Sequence, residues 1–144
     1  MKKLRKGESG KSGEKDIVRL VPCPNCGKKL MILPANYPLY DVQCTGCLFR
    51  AQVKTNQCKP KAVLFGACWQ IMNKVLKSGY MTPALFLNFK WTEKDKQRQE
   101  IRFYPFISKT SLMNYTANIK SRGRVYKMFN YNLRGMKYYV LFSK

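Results

Sequence analysis

The stretch Asp-Val-Gln-Cys-Thr-Gly-Cys-Leu-Phe-Arg-Ala-Gln-Val-Lys, residues 41–54, decides the fold that this sequence predicts. From Leu48 to Lys54, apolar and polar residues alternate, which is typical of a β-strand with one buried face. Cys44 and Cys47 come directly before that strand, with two residues between them. We therefore expect a strand that leaves a tight cysteine turn.

A second cysteine pair lies upstream of this stretch. Cys23 and Cys26 also have two residues between them, and 17 residues lie between Cys26 and Cys44, so the four follow the spacing of a four-cysteine zinc site. Four thiolates leave no open position for water, so such a zinc would be structural. The alternative is two disulfides or a redox pair, which would require an oxidising compartment or a redox role.

The charge of the chain indicates a polyanionic partner. The sequence has 28 Lys and Arg against 7 Asp and Glu, giving a net charge of +21, and it has no histidine. The absence of imidazole excludes Ser-His-Asp hydrolysis, HEXXH proteolysis and histidine-ligated catalytic zinc. Hydrophobic residues make up 45% of the chain, so it is expected to fold around a core. Because the net charge is so positive, the expected polyanionic partner is nucleic acid.

Neither a membrane span nor a secretory signal is predicted. The longest apolar runs are much shorter than the ~20 residues that cross a bilayer, and the basic N-terminal segment lacks an apolar region after it. We expect a cytoplasmic protein without a membrane partner.

The rest of the chain predicts a mixed α/β fold. Residues 1–15 are expected to form a flexible basic arm, and residues 16–144 a single domain. Helical spacing of apolar residues predicts an amphipathic helix from Ala62 to Leu76. The other predicted elements are strands at 84–91 and 101–106 around a loop at 92–100, a short helix from Ser108 to Lys120, and strands at 125–129 and 136–142.

Asp41 is the one carboxylate between Ile17 and Thr92. If the chain forms a hairpin around the cysteine turn, Asp41 would lie near Gln52 and Lys54 on the following strand. A carboxylate, an amide oxygen and a lysine suit Mg²⁺-dependent phosphodiester hydrolysis, with the Val53 carbonyl as a further magnesium ligand and Lys54 acting on the attacking water. Alternatively, these residues form a solvated strand face, with Asp41 capping a turn.

Taken together, these motifs resemble the catalytic domain of the DpnI-like, Dam-replacing family of PD-(D/E)XK restriction endonucleases. The resemblance covers about residues 20–90. It is carried by Cys-Pro-Asn-Cys-Gly at 23–27, by the spacing from Asp41 through the second cysteine pair to Gln52 and Lys54, and by the predicted helix that contains Gly66-Ala67 and carries Met72 and Val75.

The resemblance implies a restriction-endonuclease-like mixed sheet with an embedded four-cysteine zinc site. It also implies that Asp41, Gln52 and Lys54 are catalytic, with Mg²⁺ or Mn²⁺ as cofactor. Gln52 stands where the family usually has a glutamate, and Tyr40 stands where the motif has proline. The chain ends at Lys144 without a winged helix, so the methyl-directed specificity of the family is not carried over.

The expected function is therefore that of a type II restriction-like endonuclease acting on double-stranded DNA, for which a homodimer would supply two active sites. The alternative is a non-catalytic, basic zinc-ribbon protein of a ribosomal or transcription assembly. The cations expected to contact nucleic-acid phosphates are in the C-terminal part of the chain, where no acid follows Glu100: Lys120, Arg122, Arg124, Arg134 and Lys137.

Overall fold

The structure, a computed structural model, describes residues 6–35, 37, 39–79, 82–108, 112 and 114–144. Two helices and nine strands are found in these ranges, in the order α1 Lys6–Leu20, β1 Leu30–Ile32, β2 Val42–Cys44, β3 Arg50–Asn56, β4 Val63–Cys68, α2 Trp69–Lys77, β5 Ala84–Glu93, β6 Lys96–Tyr104, β7 Asn114–Ser121, β8 Arg124–Asn132 and β9 Tyr139–Ser143.

The chain divides into two compact units, where the sequence predicts one domain over residues 16–144. Unit 1 comprises Met1–Pro60, Pro83–Pro105 and Lys137–Lys144, and unit 2 comprises Lys61–Thr82 and Phe106–Met136. The predicted mixed α/β class is confirmed, and the mixed sheet belongs to unit 1.

Unit 1 contains a six-stranded sheet in the order β1-β2-β3-β5-β6-β9. Strands β3 and β5 are parallel, and every other neighbouring pair is antiparallel. The predicted strand at 84–91 is confirmed, but β5 and β6 pair as far as Glu93 and Lys96, so the predicted loop at 92–100 shrinks to a tight turn. Lys94 and Asp95 form that turn with positive φ angles of 48° and 62°.

The N-terminal segment is helical, so the prediction of a flexible arm over residues 1–15 is wrong from Lys6 onward. Helix α1 packs on the sheet through Ile17, and Val21, the first residue after the helix, is buried beside it. They join Val42, Ala51 and Phe86 in the core of unit 1. Tertiary packing therefore stabilises a segment whose three glycines and two serines lower its intrinsic helix propensity.

A buried polar network also fastens α1 to the sheet. Asp16 Oδ2 accepts hydrogen bonds from Asn88 Nδ2 at 3.2 Å and from Gln99 Nε2 at 3.3 Å, and it forms an ion pair with Lys90. Burial alone would raise the pKa of Asp16, but hydrogen bonds from Lys90 and Asn88 hold it below its ordinary value. Asp16 is therefore a charged anchor between α1, β5 and β6.

Unit 2 contains a three-stranded antiparallel sheet in the order β4-β8-β7, together with α2. The predicted helix from Ala62 to Leu76 is wrong in its first part, because Val63–Cys68 pairs with β8 and the helix begins at Trp69. Gly66 lies in this strand, where a Cβ atom would come within 2.6 Å of Phe129. Strand pairing thus overrides the local apolar periodicity.

The predicted helix from Ser108 to Lys120 is also wrong over the part that belongs to a strand. Asn114–Ser121 forms β7, which pairs with β8 through a two-residue turn at Arg122 and Gly123. Residues 109–111 and 113 lie outside the described residues. The predicted strands at 125–129 and 136–142 correspond to β8 and β9, with shifted ends.

Among the residues described, neither helix is both long and apolar enough to cross a membrane.

Gly13 controls how closely α1 approaches β3. It is buried, and a Cβ atom there would overlap the Thr55 hydroxyl. We predict that Gly13→Ala lowers the free energy of unfolding by about 1–3 kcal/mol, because overpacking outweighs the ~1 kcal/mol that alanine gains in helix propensity. Urea denaturation measures this change.

The control is Lys11→Ala, an exposed position on the same helix. It should change the free energy of unfolding little. Stabilisation by Gly13→Ala, as expected for an unpacked helical glycine, would contradict the close docking of α1.

Candidate active site and metal centre

Asp41 is held against β3 by its main chain and by its side chain. Its N–H donates to the Ala51 carbonyl at 3.0 Å, and its carbonyl accepts from the Leu33 N–H at 2.9 Å. Its carboxylate Oδ2 accepts from the Val53 N–H at 2.7 Å. The side chain is thus fixed directly before the start of β2, beside the part of β3 that continues past that point.

Gln52 and Lys54 lie on one face of β3, opposite the core residues Ala51 and Val53. Gln52 is buried, with 7% of its surface exposed, and Lys54 is half-buried. Burial lowers the pKa of Lys54, while the negative charge of Asp41 opposes that shift. The structure therefore brings the Lys54 amine into the electrostatic field of Asp41.

The Val53 carbonyl is on the same side. The N–H and C=O of one residue in a strand point to the same edge, and the Val53 N–H points at Asp41. The carbonyl oxygen accordingly faces the edge of β3 at which Asp41 lies. A cation held by Asp41 could therefore use this carbonyl as a further oxygen ligand.

Glu14 is a candidate site residue that the sequence did not lead us to expect. It lies on α1, and its side chain shares a hydrogen bond with the Asp41 carboxyl. Burial, followed by the charge of Asp41 and this hydrogen bond, raises the pKa of Glu14 to about 7. Burial likewise raises the pKa of Asp41, against the opposing effects of the Val53 N–H and Lys54.

A signal for Glu14 was present in the sequence. Glu14, Ile17 and Val21 are spaced i, i+3 and i+7, which puts them on one face of a helix. Because the prediction assigned residues 1–15 to a flexible arm, that face was not recognised.

The oxygen atoms of this cluster are of the kind that could hold a hard divalent cation. Glu14 and Asp41 are two carboxyls close enough to share a proton, and their mutual repulsion when ionised would be relieved by a positive ion. Carboxylate, amide and carbonyl oxygens are the ligands that Mg²⁺ takes in proteins. Glu14, Asp41, Gln52 and Val53 supply these oxygen types, so the residues present fit such an ion.

A second candidate centre consists of Cys23, Cys26, Cys44 and Cys47. Their four Sγ atoms lie within 4.8 Å of one another, and the Cys23–Cys47 and Cys26–Cys44 sulfur pairs are 3.7 and 3.4 Å apart. Tetrahedral zinc, with Zn–S bonds near 2.3 Å, needs sulfur separations of about 3.8 Å. These separations are too long for disulfides, whose S–S bond is about 2.05 Å, so the cluster could hold a metal such as zinc.

The turns around the cysteines are shaped for thiolate ligands. The N–H groups of Asn25 and Gly46 point at the sulfurs of Cys23 and Cys44, at 3.4 and 3.3 Å. The Asn25 side-chain amide approaches Cys47 Sγ at 3.4 Å and is the leading reason that the pKa of Cys47 falls to about 6. Donors aimed at sulfur stabilise the anionic form that binds metal.

The cysteine cluster and the carboxylate site share one hairpin. Cys44 ends β2 and Cys47 lies in the loop to β3, while the first pair is joined to them through the pairing of Leu30 with Cys44. The same hairpin sets the register of Val42 opposite Ala51. That register places the carboxylate of Asp41 at the Val53 N–H.

The five cations expected to contact nucleic acid are exposed, but they do not all belong to one unit. Lys137 lies in unit 1, where its ammonium stands 5.2 Å from the centre of the Tyr139 ring. The other four lie in unit 2: Lys120, Arg122, Arg124 and Arg134.

Comparison with known proteins leaves the family of this chain open. No protein-family model matches the sequence, and the search of curated proteins finds no match. The functional argument therefore depends on the sites themselves.

We predict that the cysteine cluster binds zinc and that this zinc stabilises the fold. The purified protein should contain one zinc per chain, and Cys26→Ser should lose it, lowering the free energy of unfolding by about 4 kcal/mol or more. Metal analysis by mass spectrometry and thermal denaturation check both effects.

The matched control is Cys58→Ser, because Cys58 lies outside the cluster. It should keep the zinc and the stability of the wild type. A chelator that removes zinc and leaves the fold of unit 1 intact would contradict a structural role.

Proposed function

We propose that this protein is a Mg²⁺-dependent endonuclease that hydrolyses phosphodiester bonds in double-stranded DNA. The observation that carries the proposal is the 2.7 Å hydrogen bond from the Val53 N–H to Asp41, which fixes a carboxylate beside the strand that bears Gln52 and Lys54. The cysteine cluster, loaded with zinc, would hold this hairpin in place. Mn²⁺ would substitute for Mg²⁺.

Each residue has a role that follows from its chemistry. Asp41 and Glu14 would bind the cation through carboxylate oxygens, and the Gln52 amide oxygen and Val53 carbonyl would complete the protein ligands. Bound Mg²⁺ would supply charge stabilisation at the reacting phosphate and a lowered pKa for the attacking water. Lys54, with its pKa lowered by burial, would orient that water, accept its proton and interact with the phosphate.

Glu14 compensates for the neutral side chain of Gln52. In the DpnI-like family that the sequence resembles, the position of Gln52 usually carries a carboxylate. A neutral amide there would leave Asp41 as the one anionic ligand from the hairpin. Glu14 restores the second negative charge from a different element, α1, so the substitution is compatible with cation binding.

The same cluster argues against a protein that only binds nucleic acid. Two carboxyls in contact on a chain of net charge +21 weaken its attraction to phosphates without aiding binding. A basic zinc-ribbon protein gains nothing from them, whereas a metal-dependent nuclease needs them. The absence of histidine is consistent with this mechanism, because the cation would stabilise the negative charge at the phosphate and Lys54 would accept the proton.

The test is nicking of supercoiled plasmid with Mg²⁺ or Mn²⁺. Asp41→Asn, Glu14→Gln and Lys54→Met should each reduce cleavage about a hundredfold or more, because each removes a ligand or the proton acceptor. Gln52→Glu should retain cleavage and reach half-maximal rate at a lower Mg²⁺ concentration, because it adds an anionic ligand.

Asp95→Asn is the matched control, since Asp95 is an exposed carboxylate in the β5–β6 turn. It should cleave like the wild type. If the wild type cuts neither modified nor unmodified DNA, or if Asp41→Asn cuts as fast as Asp95→Asn, the nuclease proposal fails and the non-catalytic alternative takes its place.

A further inference from the structure

Unit 2 differs from unit 1 in its charge. Its two segments, Lys61–Thr82 and Phe106–Met136, contain nine lysines and arginines and no aspartate or glutamate. A surface with cations and no acid attracts a polyanion over its whole extent. Within this unit, the charge is densest in the hairpin of β7 and β8.

The outer part of that hairpin is a two-stranded ribbon. Strand β4 pairs with β8 as far as Cys68 opposite Met128, and beyond that point β8 has β7 as its strand partner. From Met128 to Gly123 the ribbon extends five residues, or about 17 Å at strand spacing. We call residues 118–127 the basic ribbon.

Two features give the basic ribbon a defined shape. The turn residues Arg122 and Gly123 both have positive φ, 50° and 76°, as the tightest hairpin turns require. On the other edge of β8, the Gln70 side chain donates to the Val125 carbonyl at 3.2 Å and accepts from the Lys127 N–H at 3.0 Å. The Gln70 side chain thereby takes the place that a further β4 residue would have beside β8. Because Gln70 belongs to α2, these hydrogen bonds hold the ribbon to that helix.

The basic ribbon exposes side chains that can recognise base edges. Cross-strand register places Asn118 beside Lys127 and Lys120 beside Val125, and all four side chains are exposed. Arg122 and Arg124 are exposed at the tip. Arginine pairs with the O6 and N7 of guanine, asparagine pairs with adenine, and an apolar side chain contacts the thymine methyl.

We propose that the basic ribbon enters the major groove of duplex DNA and supplies sequence preference, with Arg122 and Arg124 contacting base edges and Lys120 contacting phosphate. The major groove of B-form DNA is about 12 Å wide and 8.5 Å deep, so it admits a two-stranded ribbon of this length. The deep, narrow major groove of duplex RNA does not. The inference deepens the proposed function, since it takes DNA as the substrate.

The experiment measures binding without cleavage. The full-length, zinc-loaded protein carrying Asp41→Asn is mixed with a pool of randomised duplex DNA, and the bound fraction is sequenced. Affinities for a selected duplex and for its scrambled version are then measured by fluorescence anisotropy at several salt concentrations. Because no cleavage is needed, the outcome is independent of whether the Asp41 site is a nuclease.

The decisive variant replaces both tip arginines with lysine, Arg122→Lys with Arg124→Lys. Charge is kept, so affinity for the scrambled duplex and its salt dependence should match the parent protein. The bidentate geometry is lost, so the preference for the selected duplex should fall about tenfold or more.

The control variant is Lys74→Gln with Lys77→Gln, which removes two exposed charges from α2 of the same unit. It should keep the preference of the parent protein. The proposal is overturned if the parent shows no sequence preference, if the double lysine variant keeps it, or if duplex or single-stranded RNA binds more tightly than duplex DNA.

Discussion

The pairing of β2 with β3 is the constraint on which the candidate site depends. It places Val42 opposite Ala51 and brings the Asp41 carboxylate to the Val53 N–H. A slip of one residue would turn Gln52 and Lys54 to the other face of the sheet, and the cluster would be lost. Cys44 and Cys47 at the turn of this hairpin lie with Cys23 and Cys26, which precede β1, so that the four sulfurs are within 4.8 Å of one another, and a metal held there would oppose such a slip. A metal there would act on the proposed catalysis by fixing the strand register.

Helix α1 adds the second half of the site. Its apolar face packs on the core, Asp16 ties it to β5 and β6, and Gly13 allows its backbone to lie against Thr55. Glu14 of this helix then interacts with the Asp41 carboxyl. Two of the few carboxylates in this basic chain therefore lie in α1. Asp16 anchors the helix to the sheet, and Glu14 completes an oxygen-rich cluster with Asp41.

The sequence predicted the parts of the structure that follow from spacing. The four cysteines, the strand after them and the proximity of Asp41 to Lys54 are consequences of a short hairpin, and local pattern is sufficient for them. The sequence-based prediction was wrong where contacts between distant parts of the chain determine the secondary structure. Val63–Cys68 is a strand because β8 lies beside it, and Lys6–Leu20 is a helix because the sheet covers its apolar face. Glu14 was missed for the same reason, since its role depends on a helix that tertiary packing stabilises.

The most direct test of the central claim is a crystal structure of the zinc-loaded protein soaked in Mn²⁺, with the anomalous signal of manganese recorded. We predict a manganese peak within about 2.5 Å of an Asp41 carboxylate oxygen, with the Glu14–Asp41 hydrogen bond broken and both carboxylates turned to the ion. A structure in which the Glu14–Asp41 hydrogen bond persists and no manganese lies beside Asp41 would contradict it.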